Sequence, residues 1–218
     1  MVTVKQVKDI LIKVEKVIEE NKLYLSELDA AIGDGDHGLN MNKGFKAVIE
    51  KIKDLPEDDL GNILKNSGMA LVSNVGGASG PLYGTAFMKA AMVVNKKSEM
   101  DINDFVKVLE EALGGIKMRG KGQEGEKTMI DTLSPAIEAG NKSIGENKSI
   151  GENKSVKEVL LEIKEAAKNG MEHTKDIVAT KGRASYVGER SIGHIDAGAT
   201  SMYLILNTIV EELTKEGN

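Results

Sequence analysis

The sequence predicts an all-α domain, and three observations carry that expectation. Apolar residues recur at spacings of three and four along eight stretches. No stretch alternates apolar and polar residues as a half-buried strand would, and the segments between the periodic stretches are mostly short. Short links force neighbouring helices to run antiparallel, so a bundle of about eight antiparallel helices is the expected architecture. A chain of 218 residues is ample for one closed core, and a single domain over 1–218 is the simplest division.

The elements follow in order. Val4, Val7, Ile10, Leu11, Val14, Val17 and Ile18 put one apolar stripe on a helix through the first twenty residues. Thr3 and Gln6 have the spacing of a capping box at its start. The same periodicity predicts helices over 39–52, 58–75, 81–95, 101–114, 126–139, 155–169 and 196–214. Asp101 and Ser155 are the expected N-caps of their helices, and Pro81 suits a first helical position because its missing N–H is not needed there. Residues 141–155, NKSIGENKSIGENKS, repeat one hexamer twice and begin it again. A polar, glycine-bearing repeat between helical patterns is expected to be an inserted surface loop, since lengthening such a loop costs little.

Composition excludes several function classes. There is no cysteine, which removes disulfides, thiolate metal sites and cysteine nucleophiles and suits a reducing compartment. The net charge of −5 and the 3% of aromatic residues argue against a nucleic-acid surface, which needs a basic stripe and stacking rings. The charged N-terminus lacks a signal-peptide pattern, and no segment has the length of a membrane span. A cytoplasmic protein without nucleic-acid or membrane partners is expected.

Many of the 24 glycines cluster in three loops that also hold the polar residues. In AAIGDGDHGLNMNKGF, Asp34 and Asp36 flank Gly35, and Asp29 lies five residues before Asp34. A turn there brings three carboxylates into one coordination sphere, where their repulsion calls for a hard cation such as magnesium. His37 is expected to donate to a phosphate rather than to bind the metal, and the helix beginning near Leu39 would face its first amides to the same anion. In SNVGGASGPLYGTAF, small residues permit close backbone approach, and Ser79 and Thr85 add hydroxyls. In KGRASYVGERSIGHIDAGATS, Arg183 and Arg190 offer planar donors for phosphate, Glu189 can pair with one of them, and His194 and Asp196 precede a helix. GEKT at 125–128 imitates the end of a P-loop but lacks its glycine spacing and its preceding strand. Met118, Gly120, Gly122, Lys127 and Met129 are candidate walls for a purine, while Thr128, Asp131 and Pro135 suit the start of a helix.

Taken in order, IGDGDHGLNMNKGF, GGASGPLYGTAF, GEKTMIDTLSPA and KGRASYVGERSIGHIDAGATS resemble the L subunit, or nucleotide-binding domain, of the dihydroxyacetone kinase family. The resemblance spans residues 1 to about 214, apart from the hexamer repeat. It implies a barrel of eight antiparallel helices with ADP or ATP and two magnesium ions at one end. It implies Asp29, Asp34 and Asp36 as metal ligands, with His37, Gly38, Leu39 and Asn40 around the phosphates. Ala78 and Ser79 match contacts of the second loop, and Gly122, Met129 and Arg183 match parts of the nucleotide pocket. Asp196, Ala197 and Gly198 match the closing turn, although Ala197 stands where the family often has proline. No residue of these loops is an evident general base. The resemblance implies, consistently with that absence, a K subunit that binds dihydroxyacetone and a phosphohistidine-bearing M subunit that rephosphorylates ADP, and a homodimer is expected. Alternatives within and beside the family are an ATP-dependent kinase of dihydroxyacetone or a related ketose, and a nucleotide-holding module that docks on a transcriptional regulator.

Overall fold

The computed structural model describes residues 1–149 and 154–215. Among them are eight α-helices: α1 (Val4–Ile32), α2 (His37–Ile52), α3 (Leu60–Asn74), α4 (Ser79–Val93), α5 (Ile102–Gly120), α6 (Met129–Ser149), α7 (Val156–His173) and α8 (Ala197–Lys215). Two 3-10 segments, Thr174–Asp176 and Arg183–Ser191, lie between α7 and α8. β1 (Val2–Thr3) pairs antiparallel with β2 (Glu99–Met100). Two residues per strand are too few to show an alternating pattern, which is why the sequence gives no sign of them.

Caps and apolar stripes explain where the helices begin. Thr3 closes a capping box with Gln6, and Ser155 closes another with Glu158. Asp101 and Asp59 each accept a hydrogen bond from the backbone three residues on, supplying an acceptor to otherwise unpaired first-turn amides. Pro81 sits at the third position of α4 rather than the first, still within the turn whose N–H groups have no helical acceptor.

Each helix packs on the next, and α8 packs back on α1, so the bundle closes into a barrel. One continuous core runs through it, including Val4, Ile18, Phe45, Leu71, Tyr83 and Leu133. An apolar cavity of about 120 Å³, bordered by Ile10, Leu64, Tyr83, Phe87, Phe105 and Ile205, remains inside the ring. No described helix is long and apolar enough to cross a membrane.

The hexamer repeat departs from the expected loop. α6 continues through its first nine positions to Ser149, while 150–153 lie outside the described residues. Ser143 is fully buried and donates to Glu162 on α7, and Lys154 reaches the same carboxylate at 2.8 Å. Ser143 of the first copy is thus packed against α7 rather than held in solvent.

Candidate functional site

Up-and-down order gathers alternate helix ends at one end of the barrel. The C-termini of α1, α3, α5 and α7 meet there with the N-termini of α2, α4, α6 and α8. Four positive helix ends converging on one place make a setting for anions. A cavity of about 400 Å³ lies among them, bordered by Asp29, Asp34, Asp36, Ser79, Met129 and Arg183 among others. That volume falls within the range of small-molecule and cofactor sites.

The three acids are brought together as expected. One carboxylate oxygen from each of Asp29, Asp34 and Asp36 lies within 4.8 Å of the others. Asp29 stands in the last turn of α1, and Gly35, at φ +78°, allows the turn that returns the chain toward it. Gly33 leaves room for the Asp29 carboxylate, since a Cβ there would fall 2.2 Å from Asp29 Oδ1. The acids also have internal partners. The Asp36 and His37 N–H groups donate to Asp29 Oδ2 at 3.0 and 3.2 Å, so Asp29 caps α2 across the loop. Arg183 Nε donates to Asp34 Oδ2 at 2.8 Å, pairing Arg183 with an acid of the cluster rather than with Glu189.

His37 borders the cavity beside the acids, and its ring is also held from within. Its buried ring faces two hydroxyls, with Nδ1 3.1 Å from Ser79 Oγ and Nε2 2.8 Å from Ser201 Oγ. Both ring nitrogens are engaged inside the protein, leaving none to meet a phosphate directly. Burial lowers the imidazole pKa below its usual value despite the nearby Asp29 and Asp36, because desolvation disfavours the charged ring.

The second loop adds backbone donors to the same cavity. Gly77 takes φ +64° and turns the chain into α4, whose N-cap residue Ala78 makes no side-chain cap. The first amides of α2 have Asp29, those of α6 have Asp131 and Thr128, and those of α8 have Asp196. Among the described residues the start of α4 alone at this end lacks a side-chain acceptor, which leaves its amides for a ligand. Asn40 borders the same corner, its amide 3.1 Å from where a Cβ on Gly76 would stand.

Gly38 and Leu39 do not border the cavity. A Cβ on Gly38 would lie 1.9 Å from the Lys22 carbonyl, so Gly38 lets α2 cross α1 closely, and Leu39 is exposed. Met118 is exposed, and Thr85, Arg190 and His194 do not border the cavity. Gly122 and Met129 do border it, together with Leu82, Ile116 and Ile130. These make an apolar wall opposite the acids. Arg119 and Lys181 also border the cavity; nothing in the sequence marks them, because isolated cations carry no pattern.

Lys127, in the false P-loop, has another task. Its side chain is 1% exposed, and its ammonium donates to the carbonyls of Thr174, of Ile177 at 3.3 Å and of His194 at 2.5 Å. Burial lowers its pKa, against the attraction of Asp196, Asp176 and Asp131. Asp196 closes the turn into α8 by accepting from the Ala199 N–H at 2.7 Å, and its own N–H donates to Thr174 Oγ1 at 3.1 Å. Burial raises the Asp196 carboxyl to about 6, opposed by the Ala199 bond and by Lys127.

Residues 31–211 match the DAK2 domain. The chain belongs to the DAK2 domain family. It is 43% identical over 194 residues to the ADP-binding subunit DhaL of PEP-dependent dihydroxyacetone kinase 1 from Listeria innocua, with 89% of each chain covered. It is 42% identical over 187 residues to the corresponding ADP-binding subunit of Escherichia coli, covering 85% of this chain and 86% of that one. The crystal structure of the dihydroxyacetone kinase of C. freundii in complex with AMP-PNP and Mg2+ matches with a TM-score of 0.71 at 24% identity, covering 95% of this chain and 34% of that one. This structural likeness establishes the all-α fold of the DAK2 chain and nothing about its ligands.

Proposed function

We propose that this chain is the nucleotide-carrying subunit of a dihydroxyacetone kinase. ADP stays bound with two magnesium ions, accepts a phosphoryl group from a phosphohistidine on an M subunit, and as ATP passes it to dihydroxyacetone on a K subunit. The observation that carries this reading is one juxtaposition: three carboxylates within 4.8 Å, in the same cavity as a helix start without a side-chain cap. The acids would suit a hard metal ion, and the free amides would suit phosphate oxygens beside it. The relatives named as ADP-binding subunits support it.

Asp29, Asp34 and Asp36 would hold the magnesium, which when bound neutralises phosphate charge and orients the transferring group. The chain's own residues do the rest. Ser79 and the first amides of α4 hold phosphate oxygens. Arg183, now on Asp34, is placed to turn its guanidinium to the phosphates when the acid takes a metal. Leu82, Ile116, Met129 and Ile130 pack the base, and Gly120 and Gly122 leave room for it beside Leu82 and Ile130. The Asp196 turn closes the cavity at the start of α8.

The test is acid precipitation of freshly purified protein, with chromatography of whatever nucleotide is released. Stoichiometric ADP, lost in Asp34→Ala with the helical circular dichroism intact, is the expected result. Retention of ADP by Asp34→Ala would remove the metal assignment. Absence of nucleotide, with no magnesium-dependent ADP binding by calorimetry, would remove the nucleotide reading.

A further inference from the structure

Beneath Ser79 runs a chain of hydrogen-bonding side chains that links three helices and does not end on the cavity wall. Ser79 Oγ is 3.1 Å from His37 Nδ1, and His37 Nε2 is 2.8 Å from Ser201 Oγ. Ser201 Oγ lies 3.0 Å from the Gly198 carbonyl and 2.8 Å from the Tyr83 hydroxyl, which itself lies 3.3 Å from that carbonyl. Ser201 and Tyr83 do not border the nucleotide cavity.

We infer that Ser201 is a positioning residue for the bound phosphate: through the His37 ring it sets whether the Ser79 hydroxyl donates into the cavity. This rests on the nucleotide reading above. A neutral imidazole has one N–H and one lone pair, so the chain has two arrangements. In the first, Nε2–H donates to Ser201, Ser201 donates to the Gly198 carbonyl, and the Ser79 hydroxyl donates to Nδ1. Every proton is then used inside the protein, and Ser79 offers only lone pairs to the cavity. In the second, Ser201 donates to Nε2, Nδ1–H donates to Ser79, and the Ser79 proton is free to meet an anion. Tyr83 donates to Ser201 Oγ in both.

Without a ligand the first arrangement wins, because the second forfeits the bond from Ser201 to Gly198. A phosphate oxygen at Ser79 reverses the balance by adding a charge-assisted bond that only the second can make. The ring holds one proton throughout, on Nε2 before and on Nδ1 after, so no net proton is taken up. Ser201 can serve both arrangements because its hydroxyl has an acceptor on each side, the Gly198 carbonyl and Nε2.

The chain has three histidines, which makes the imidazole nitrogen spectrum of 15N-histidine protein simple to assign. Spectra are recorded with chelator and then with saturating ADP and Mg2+, with calorimetry on the same samples. The expected result is that the protonated nitrogen of His37 moves from Nε2 to Nδ1. Ser201→Ala removes the Gly198 bond that holds the chain in the first arrangement and should tighten ADP binding about five-fold, the worth of one net hydrogen bond. In a Ser79→Ala background the same change should alter binding no further, because its effect passes through Ser79. ADP binding with the proton on the same nitrogen in both states overturns the inference alone. An additive Ser201→Ala effect in the Ser79→Ala background also overturns it. No ADP binding in the wild-type chain removes the nucleotide reading and this inference with it.

Discussion

Lys127→Met tests whether the third loop is held in place by one buried ammonium. The substitution keeps an unbranched side chain but leaves the carbonyls of Thr174, Ile177 and His194 without their shared donor. A hydrogen bond to a charged group contributes about 1.5–3 kcal/mol net, so three set an upper scale of about 4.5–9 kcal/mol. Against this stands the desolvation of the ammonium, several kcal/mol that the methionine no longer incurs. The net expectation is a loss of about 3 kcal/mol, which in a chain of this size lowers Tm by about 6–12 °C. Thermal melting by circular dichroism measures it, in chelator so that metal does not contribute. Limited proteolysis adds a local readout, with new cleavage expected between 175 and 195, the segment the ammonium anchors. A Tm within about 2 °C of wild type, with no new cleavage, would refute the reasoning and show that those carbonyls find water instead.

Two further substitutions follow. Gly38→Ala places a Cβ 1.9 Å from the Lys22 carbonyl and 2.9 Å from Leu25 Cβ, so α1 and α2 must separate; a loss of about 1–3 kcal/mol is expected in denaturant titration, and an unchanged midpoint would contradict the packing. Asp196→Asn concerns pH. The native carboxyl is raised from 3.8 to about 6, so between those values the folded chain keeps a proton that the unfolded chain has released. This contribution to stability is complete below pH 3.8 and is lost as pH rises to about 6. Asparagine keeps the cap on α8 without titrating. The difference in Tm between variant and wild type, in chelator, should therefore grow in the variant's favour across that window, and a constant difference would exclude the carboxyl as its source.

What the sequence made legible divides along a physical line. Helix existence followed from the spacing of apolar residues, because burial on one face is what that spacing produces. Helix ends were less legible where glycine had two meanings. The apolar periodicity predicts the fifth helix only to 114, at a glycine pair, yet α5 runs on to Gly120. A Cβ on Gly115 would lie 2.9 Å from Lys89 Cγ and 3.2 Å from Thr85 Cγ2. That glycine is spent on close packing against α4 rather than on ending a helix. The hexamer repeat misled in the opposite sense, since its polar composition concealed a serine of α6 that is buried against α7.

The same line runs through the site. Asp29, Asp34 and Asp36 were readable because local turns bring them together and their charges demand a counterion. The partners of His37 and Lys127 were not. Ser201 lies 164 residues from His37, and no local pattern marks a distant hydroxyl. The acceptors of Lys127 are backbone carbonyls, which every residue carries and no sequence distinguishes. A lysine two residues before the start of α6 therefore imitated part of a phosphate motif, when only the closed barrel supplies the three carbonyls that explain it. Charge that gathers locally can be read from the chain; charge that is neutralised across the fold becomes visible only when the helix ends are assembled.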